Sequence, residues 1–128
     1  MKASSYSLKY VKVCLLFLAS TLAPAWSNAN QLTLDEFVSL IPYWETPRNS
    51  PPTIVGDGGF AYGHYQIHWA MVEDYNRISG NKVAHVVAFD PIFSAHIAKT
   101  VLGYYSKVIR QQGITPTTDH WLFIWNGG

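Results

Sequence analysis

Two carboxylates stand in unlike surroundings within IPYWETPRNSPPTIVGDGG, residues 41–59. Glu45 follows Tyr43 and Trp44, and twelve positions later Asp57 lies between Gly56 and Gly58-Gly59. Splitting a glycosidic bond takes a proton for the leaving oxygen and a negative group to support an oxocarbenium-like centre. Two carboxyl groups held apart in different environments supply both. A carboxyl partly buried among aromatics, at a helix end whose dipole is negative, is favoured in its proton-donating form. A carboxyl among glycines, open to backbone N–H groups, is favoured as the carboxylate. The same spacing also fits a solvated helix-end glutamate and an Asp-Gly turn, so the pair alone leaves both readings open.

Other chemistries find less support. His64 and His68 are four apart, the interval of two zinc ligands on one helix turn, but Tyr65-Gln66-Ile67 between them lacks the glutamate of H-E-x-x-H. They fall in chain expected to be extended, and His85, His96 and His120 show no matching spacing. No metal and no other cofactor is expected. No G-x-S-x-G elbow marks a serine nucleophile, and there is no phosphate loop.

The elements that must position the two carboxylates are legible from caps and periodicity. In TLDEFVSLIPYWE, Thr33 and Glu36 have capping-box spacing, and Leu34, Phe37, Val38 and Ile41 recur at helical intervals. Pro42 should bend or tighten this helix near its end and Pro47 should stop it, which leaves Glu45 at the C-terminal end. Residues 48–63 read as loop and turn with short β-prone pieces such as Thr53-Ile54-Val55, and GHYQIHW as a short strand or an extended lead into a helix. AMVEDYNRIS is helical, closed by Gly80. Asp90 as N-cap and Pro91 as N1 open a long helix, with Phe93, Ile97, Val101, Tyr104 and Val108 as its apolar stripe and Gly113 past its end. A last helix starts near Thr117 or Thr118 and contains Trp121, Leu122 and Ile124. The class is α+β, mostly α, with a small irregular or β insert that holds Asp57.

The first 29 residues read as a secretory signal peptide. Lys2, Lys9 and Lys12 precede the apolar run 13–19, and small residues follow at Ala23, Ala25 and Ala29. The run is shorter than the roughly 20 residues a bilayer span needs. Cleavage after Ala25 or after Ala29 fits, and Pro24 makes Ala29 the better site. Residues 30–128 then form one domain able to bury one core. Cys14, the only cysteine, leaves with the leader, so the domain must hold by packing alone. Six Lys or Arg remain against eight Asp or Glu, a net charge of −2. Without a basic stripe, binding to nucleic acid or to an acidic membrane surface is not expected. The plentiful aromatics suit flat, uncharged partners such as sugar rings.

Several short motifs occur in a telling order: an acidic residue ending the first helix, Gly56-Asp57-Gly58-Gly59, Gly63-His64-Tyr65-Gln66-Ile67, a helix opening on an aromatic, and Trp125-Asn126-Gly127-Gly128. Over about residues 34–128 this resembles the invertebrate-type lysozyme (destabilase) family and its bacterial, lytic-transglycosylase-like relatives. Their pattern runs roughly E-S-G-G-N, G-D-G-G, G-x-[FY]-Q-I and [HW]-N-G-G. The resemblance implies a lysozyme-like fold, with Glu45 in place of the general acid and Asp57 at the loop position of the second catalytic carboxylate. It also implies a cleft floor at Gly63, Tyr65, Gln66 and Ile67, and a glycan-facing Asn126. Tyr62, Tyr65 and Trp69 are candidates for sugar stacking, although Tyr65 and Ile67 also fit a core. Gln66 fits either a hydrogen bond to an N-acetyl group or carboxylate, or one to buried backbone. Three departures stand out. Glu45-Thr46-Pro47-Arg48-Asn49 replaces E-S-G-G-N, the animal enzymes' cysteines are absent, and Trp125 occupies the histidine position of H-N-G-G. The final motif normally continues beyond the point where Gly128 ends this sequence, which fits a truncated record.

The expected activity is that of a secreted or periplasmic muramidase, a monomer cleaving the β-1,4 glycan of peptidoglycan or a related N-acetylated glycan, with no membrane insertion after processing. Two alternatives stay open: a lytic transglycosylase that needs Glu45 alone, and an inactive glycan-binding module.

Overall fold

Thr33 opens the first helix with a reciprocal cap. Its backbone N–H donates to Glu36 Oε2 at 2.7 Å, and its hydroxyl accepts from the Glu36 N–H at 3.2 Å. Two otherwise orphaned donors are thereby satisfied. The computed structural model describes residues 31–127, and the expected leader with its cleavage site lies outside them. The compact unit begins at Leu32, whose N–H donates to Thr118 Oγ1 at the start of the last helix.

Helix α1 spans Leu34–Glu45 and buries Phe37, Val38 and Ile41. It runs through Pro42 and ends where Thr46 turns extended at φ −134°, ψ 145°. The proline that follows disfavours helical angles for the residue before it, so Pro47 sets the end and leaves Glu45 as the last helical residue. The Pro42 carbonyl accepts both the backbone N–H of Thr46 at 3.1 Å and its hydroxyl at 2.9 Å, which closes the terminus.

A three-stranded antiparallel sheet follows: β1 (Val55–Gly56), β2 (Ala61–Tyr62) and β3 (Ile67–His68), in that order. Gly56 pairs with Ala61 and Ala61 with His68, so these three form one row across the sheet. A short 3₁₀ helix, Asp57–Gly59, joins β1 to β2. Helix α2 (Trp69–Ser79) starts directly from β3 and ends at Gly80, whose φ of 75° and N–H bond to Asn76 form a left-handed cap. A second 3₁₀ helix covers His85–Phe89.

Helix α3 (Pro91–Gln111) is the central element, with α1, α2 and α4 (Thr118–Gly127) packed against it. Asp90 caps it by accepting from the Ile92 N–H at 2.9 Å. Its buried face is rotated from the expected stripe. Ile97 and Val101 are buried, but so are Ser94, Ala98, Leu102, Tyr105, Ser106 and Ile109, while Phe93, Tyr104 and Val108 lie half-buried at the flanks. Counting only apolar residues missed the serines. Ser94 Oγ donates to the Ala88 carbonyl at 2.8 Å, and Ser106 Oγ accepts the Trp121 indole N–H at 2.9 Å. A hydroxyl so satisfied is buried at little cost, and its small volume lets neighbours approach closely. α4 starts at Thr118 and holds all three expected apolar residues, of which Trp121 and Ile124 are buried and Leu122 is exposed. Asp74, buried on α2, accepts from Tyr105 Oη at 3.1 Å and from Arg77 Nη2 at 3.2 Å, which ties α2 to α3.

Among the described residues no helix is long and apolar enough to cross a membrane.

Candidate functional site

Glu45 is held from across the molecule. The Trp125 indole Nε1–H donates to Glu45 Oε1 at 2.8 Å, joining residues 80 positions apart. Both side chains are half-buried. Oε2 has no hydrogen-bond partner among the described residues, and solvent reaches it, since no buried side-chain oxygen there lacks a partner. The aromatics next to Glu45 in sequence are exposed, Tyr43 to 73% and Trp44 to 51%. This corrects the expectation that they enclose the carboxyl. On a helix, adjacent residues point in different directions, and the ring that meets Glu45 comes from α4.

Asp57 has a different partner. It follows β1 directly, and the register carries its carboxylate toward the end of β3, where Oδ2 lies 3.2 Å from His68 Nε2. The Asp57 side chain is 68% exposed. Its backbone lies in the left-handed region at φ 48°, followed by Gly58 at 62° and Gly59 at 103°. Aspartate tolerates that region better than most residues, though less readily than glycine.

The segment at residues 62–69 is built from close backbone contacts. Gly63 is buried at φ 73°, and a Cβ there would lie 2.0 Å from the Ala88 carbonyl oxygen. Gln66, at φ 47°, donates from Nε2 to the Gly63 carbonyl at 2.8 Å. Its Oε1 occupies the space a side chain on Gly56 would need. Of the two uses expected for Gln66, the structure shows the bond to backbone.

Tyr65 is 6% exposed and lies in the core. Burial, with a smaller contribution from Tyr43, pushes its phenol up from the ordinary tyrosine value. Such a ring is not available to stack on a sugar. Tyr62 is stacked by His85 at 3.8 Å and 3° and by Phe89 at 4.6 Å and 10°. Two parallel rings that close cannot share one face without overlapping, so both faces of Tyr62 are covered and it too is withdrawn from stacking. His85 is fixed in turn by donating from Nε2 to the Ile67 carbonyl at 2.6 Å. Trp69, at 48%, keeps an exposed face, and Asn126 is exposed on the last turn of α4.

His64 and His68 turn to separate partners. His64 Nε2 donates to the Ser50 carbonyl at 2.7 Å, and His68 faces Asp57. Among the described residues no three His, Cys, Asp or Glu side chains converge on a metal-sized site.

Sequence reasoning missed two residues, Trp125 as the partner of Glu45 and His68 as that of Asp57. A signal existed for Trp125, an N–H donor standing at the histidine position of H-N-G-G. His68 was legible only through the hairpin register.

Chemically, the arrangement offers an anchored carboxyl with one open oxygen at a helix end, and separately an exposed carboxylate–imidazole pair on the sheet. No family model, no curated protein and no solved structure matches this chain.

Proposed function

We propose that this chain is an exported glycosidase that cleaves the β-1,4 glycan of peptidoglycan, with Glu45 as the general acid. The observation that supports this best is the state of the Glu45 carboxyl. It is fixed through Oε1 by an uncharged donor, half-shielded at the end of α1, and open to solvent at Oε2. A proton donor must be positioned as well as acidic, and this is the one described carboxyl so held. The Glu45 proton passes to the glycosidic oxygen as the C1–O bond breaks. Water then adds to C1 and gives up its proton to a carboxylate. Asp57 serves as the second carboxylate. Its left-handed backbone, where glycine would be at ease, is consistent with a position kept for its side chain.

A second reading is favoured by the exposure of Asp57 and its pairing with His68. In a lytic transglycosylase a hydroxyl of the substrate, rather than water, attacks C1 and returns its proton to Glu45, and Asp57 is not needed. Digestion of purified peptidoglycan, with products read by mass spectrometry, separates the two. Reducing-end muropeptides from the unaltered chain and none from Glu45→Gln support hydrolysis, and anhydro products support the transglycosylase. A folded chain that releases neither has no such activity, and the inactive glycan-binding module then takes its place.

A further inference from the structure

Resting on the proposed role of Glu45, we infer that Trp125 is its positioning residue and that the indole assigns the two carboxyl oxygens different tasks. An indole N–H is a donor only. Whatever the protonation state of Glu45, the oxygen 2.8 Å from Trp125 Nε1 acts as an acceptor, and the carbonyl oxygen of a protonated carboxyl accepts more strongly than its hydroxyl oxygen, so the bond favours Oε1 as the carbonyl. The proton of the acid form is therefore favoured on Oε2, the oxygen with no protein partner among the described residues. A leaving-group oxygen has one productive approach, from the Oε2 side. A carboxyl free to rotate would offer its proton from either oxygen and in many directions.

The fold gives this bond a rigid base. Trp121 and Trp125 are four apart and share a face of α4. The indole N–H of Trp121 is held by Ser106 on α3, and its ring packs 5.6 Å from Phe37 on α1. Phe37 meets Trp44, the neighbour of Glu45, at 5.4 Å. One tryptophan docks the helix and the next uses the docked position to reach the carboxyl. Glu45 keeps its place through α1, so losing the indole should free the rotation of its carboxyl without unfolding the site.

The test reads the bond and the reaction separately. In the ¹⁵N-labelled chain, the Trp125 indole proton should resonate downfield and move upfield in Glu45→Ala, which leaves the indole without its acceptor. On soluble glycan strands, Trp125→Phe should lower kcat at least tenfold with KM within about threefold, and Trp125→His, which regains an N–H donor, should recover part of the loss. An indole resonance indifferent to Glu45→Ala overturns the inference, as does full kcat in Trp125→Phe. If the unaltered chain cleaves nothing while the resonance responds, the bond stands, but the glycosidase reading and the positioning role both fall.

Discussion

His68 Nε2 lies 3.2 Å from Asp57 Oδ2, and the contact links the turn that follows β1 to the end of β3. Gly56, Ala61 and His68 share a register row, and Asp57 is the first residue past that row on the β1 side. Both partners are substantially exposed, and polar contacts this open to water contribute about 0–1 kcal/mol. Asp57→Asn keeps the shape and tolerates the left-handed backbone, so its unfolding free energy should fall by less than about 1 kcal/mol. If Asp57 is the second carboxylate, the same change should reduce hydrolysis by about a hundredfold or more, which a muropeptide release assay would read. Unchanged release with anhydro products would instead establish the reading that leaves Asp57 out.

Gly63 permits a close approach that no other residue allows. A Cβ would lie 2.0 Å from the Ala88 carbonyl oxygen, which is backbone and cannot swing aside, and φ of 73° disfavours any side chain. Gly63→Ala should destabilise the fold by on the order of 3 kcal/mol, combining overpacking with left-handed strain. Urea denaturation would measure this, and a loss under about 1 kcal/mol would show that the 3₁₀ segment at 85–89 yields more easily than its packing implies.

Stability should fall on mild acidification because of His120. Its Nδ1 accepts the Thr117 N–H at 3.0 Å and meets the Thr117 hydroxyl at 2.9 Å, so the neutral ring carries its proton on Nε2. Burial pushes the imidazole below its ordinary value, with Asp119 opposing in part. A group depressed in the folded state binds its proton more readily when unfolded. Its contribution is therefore intact above about pH 6.5 and is lost as pH falls through that value toward the folded one. His120→Asn, whose Oδ1 can replace Nδ1 as acceptor without titrating, should flatten the change. Equal Tm losses from pH 8 to pH 5 in both proteins would remove His120 as the cause.

Tyr62 and Trp69 should separate by readout. With both faces of Tyr62 covered by His85 and Phe89, Tyr62→Ala should cost about 3 kcal/mol of stability. Trp69 keeps an exposed face. Its replacement by Ala should leave Tm nearly unchanged and weaken binding to glycan strands several-fold, measurable by calorimetry. Unaltered glycan affinity in Trp69→Ala would exclude its face as a platform.

Much of the fold was legible because helix ends obey local rules. Thr33 and Glu36, Asp90 and Pro91, and Gly80 each satisfy or terminate backbone hydrogen bonds within a few residues of themselves, and the structure places helix limits where those signals stand. The face of α3 was less legible. Ser94 and Ser106 are buried by virtue of partners at Ala88 and Trp121, and nothing local to a serine announces such a partner. The surroundings of Tyr65 and Tyr62 were hidden for the same reason. An aromatic has one appearance in sequence, whether its ring is enclosed or open.

By itself the sequence determined that Glu45 would end a helix, since Pro47 forces Thr46 out of helical angles, and that Asp57 would sit in a glycine-rich turn. These are steric and hydrogen-bonding consequences of immediate neighbours. Only the tertiary structure decided what each carboxylate touches. Trp125 reaches Glu45 because Trp121 docks α4 against α3 and α1, and His68 reaches Asp57 because three two-residue strands settle into one register. Contacts across 80 residues depend on how side-chain volumes fill a shared core, a property of the assembled helices and sheet that no stretch of chain holds on its own.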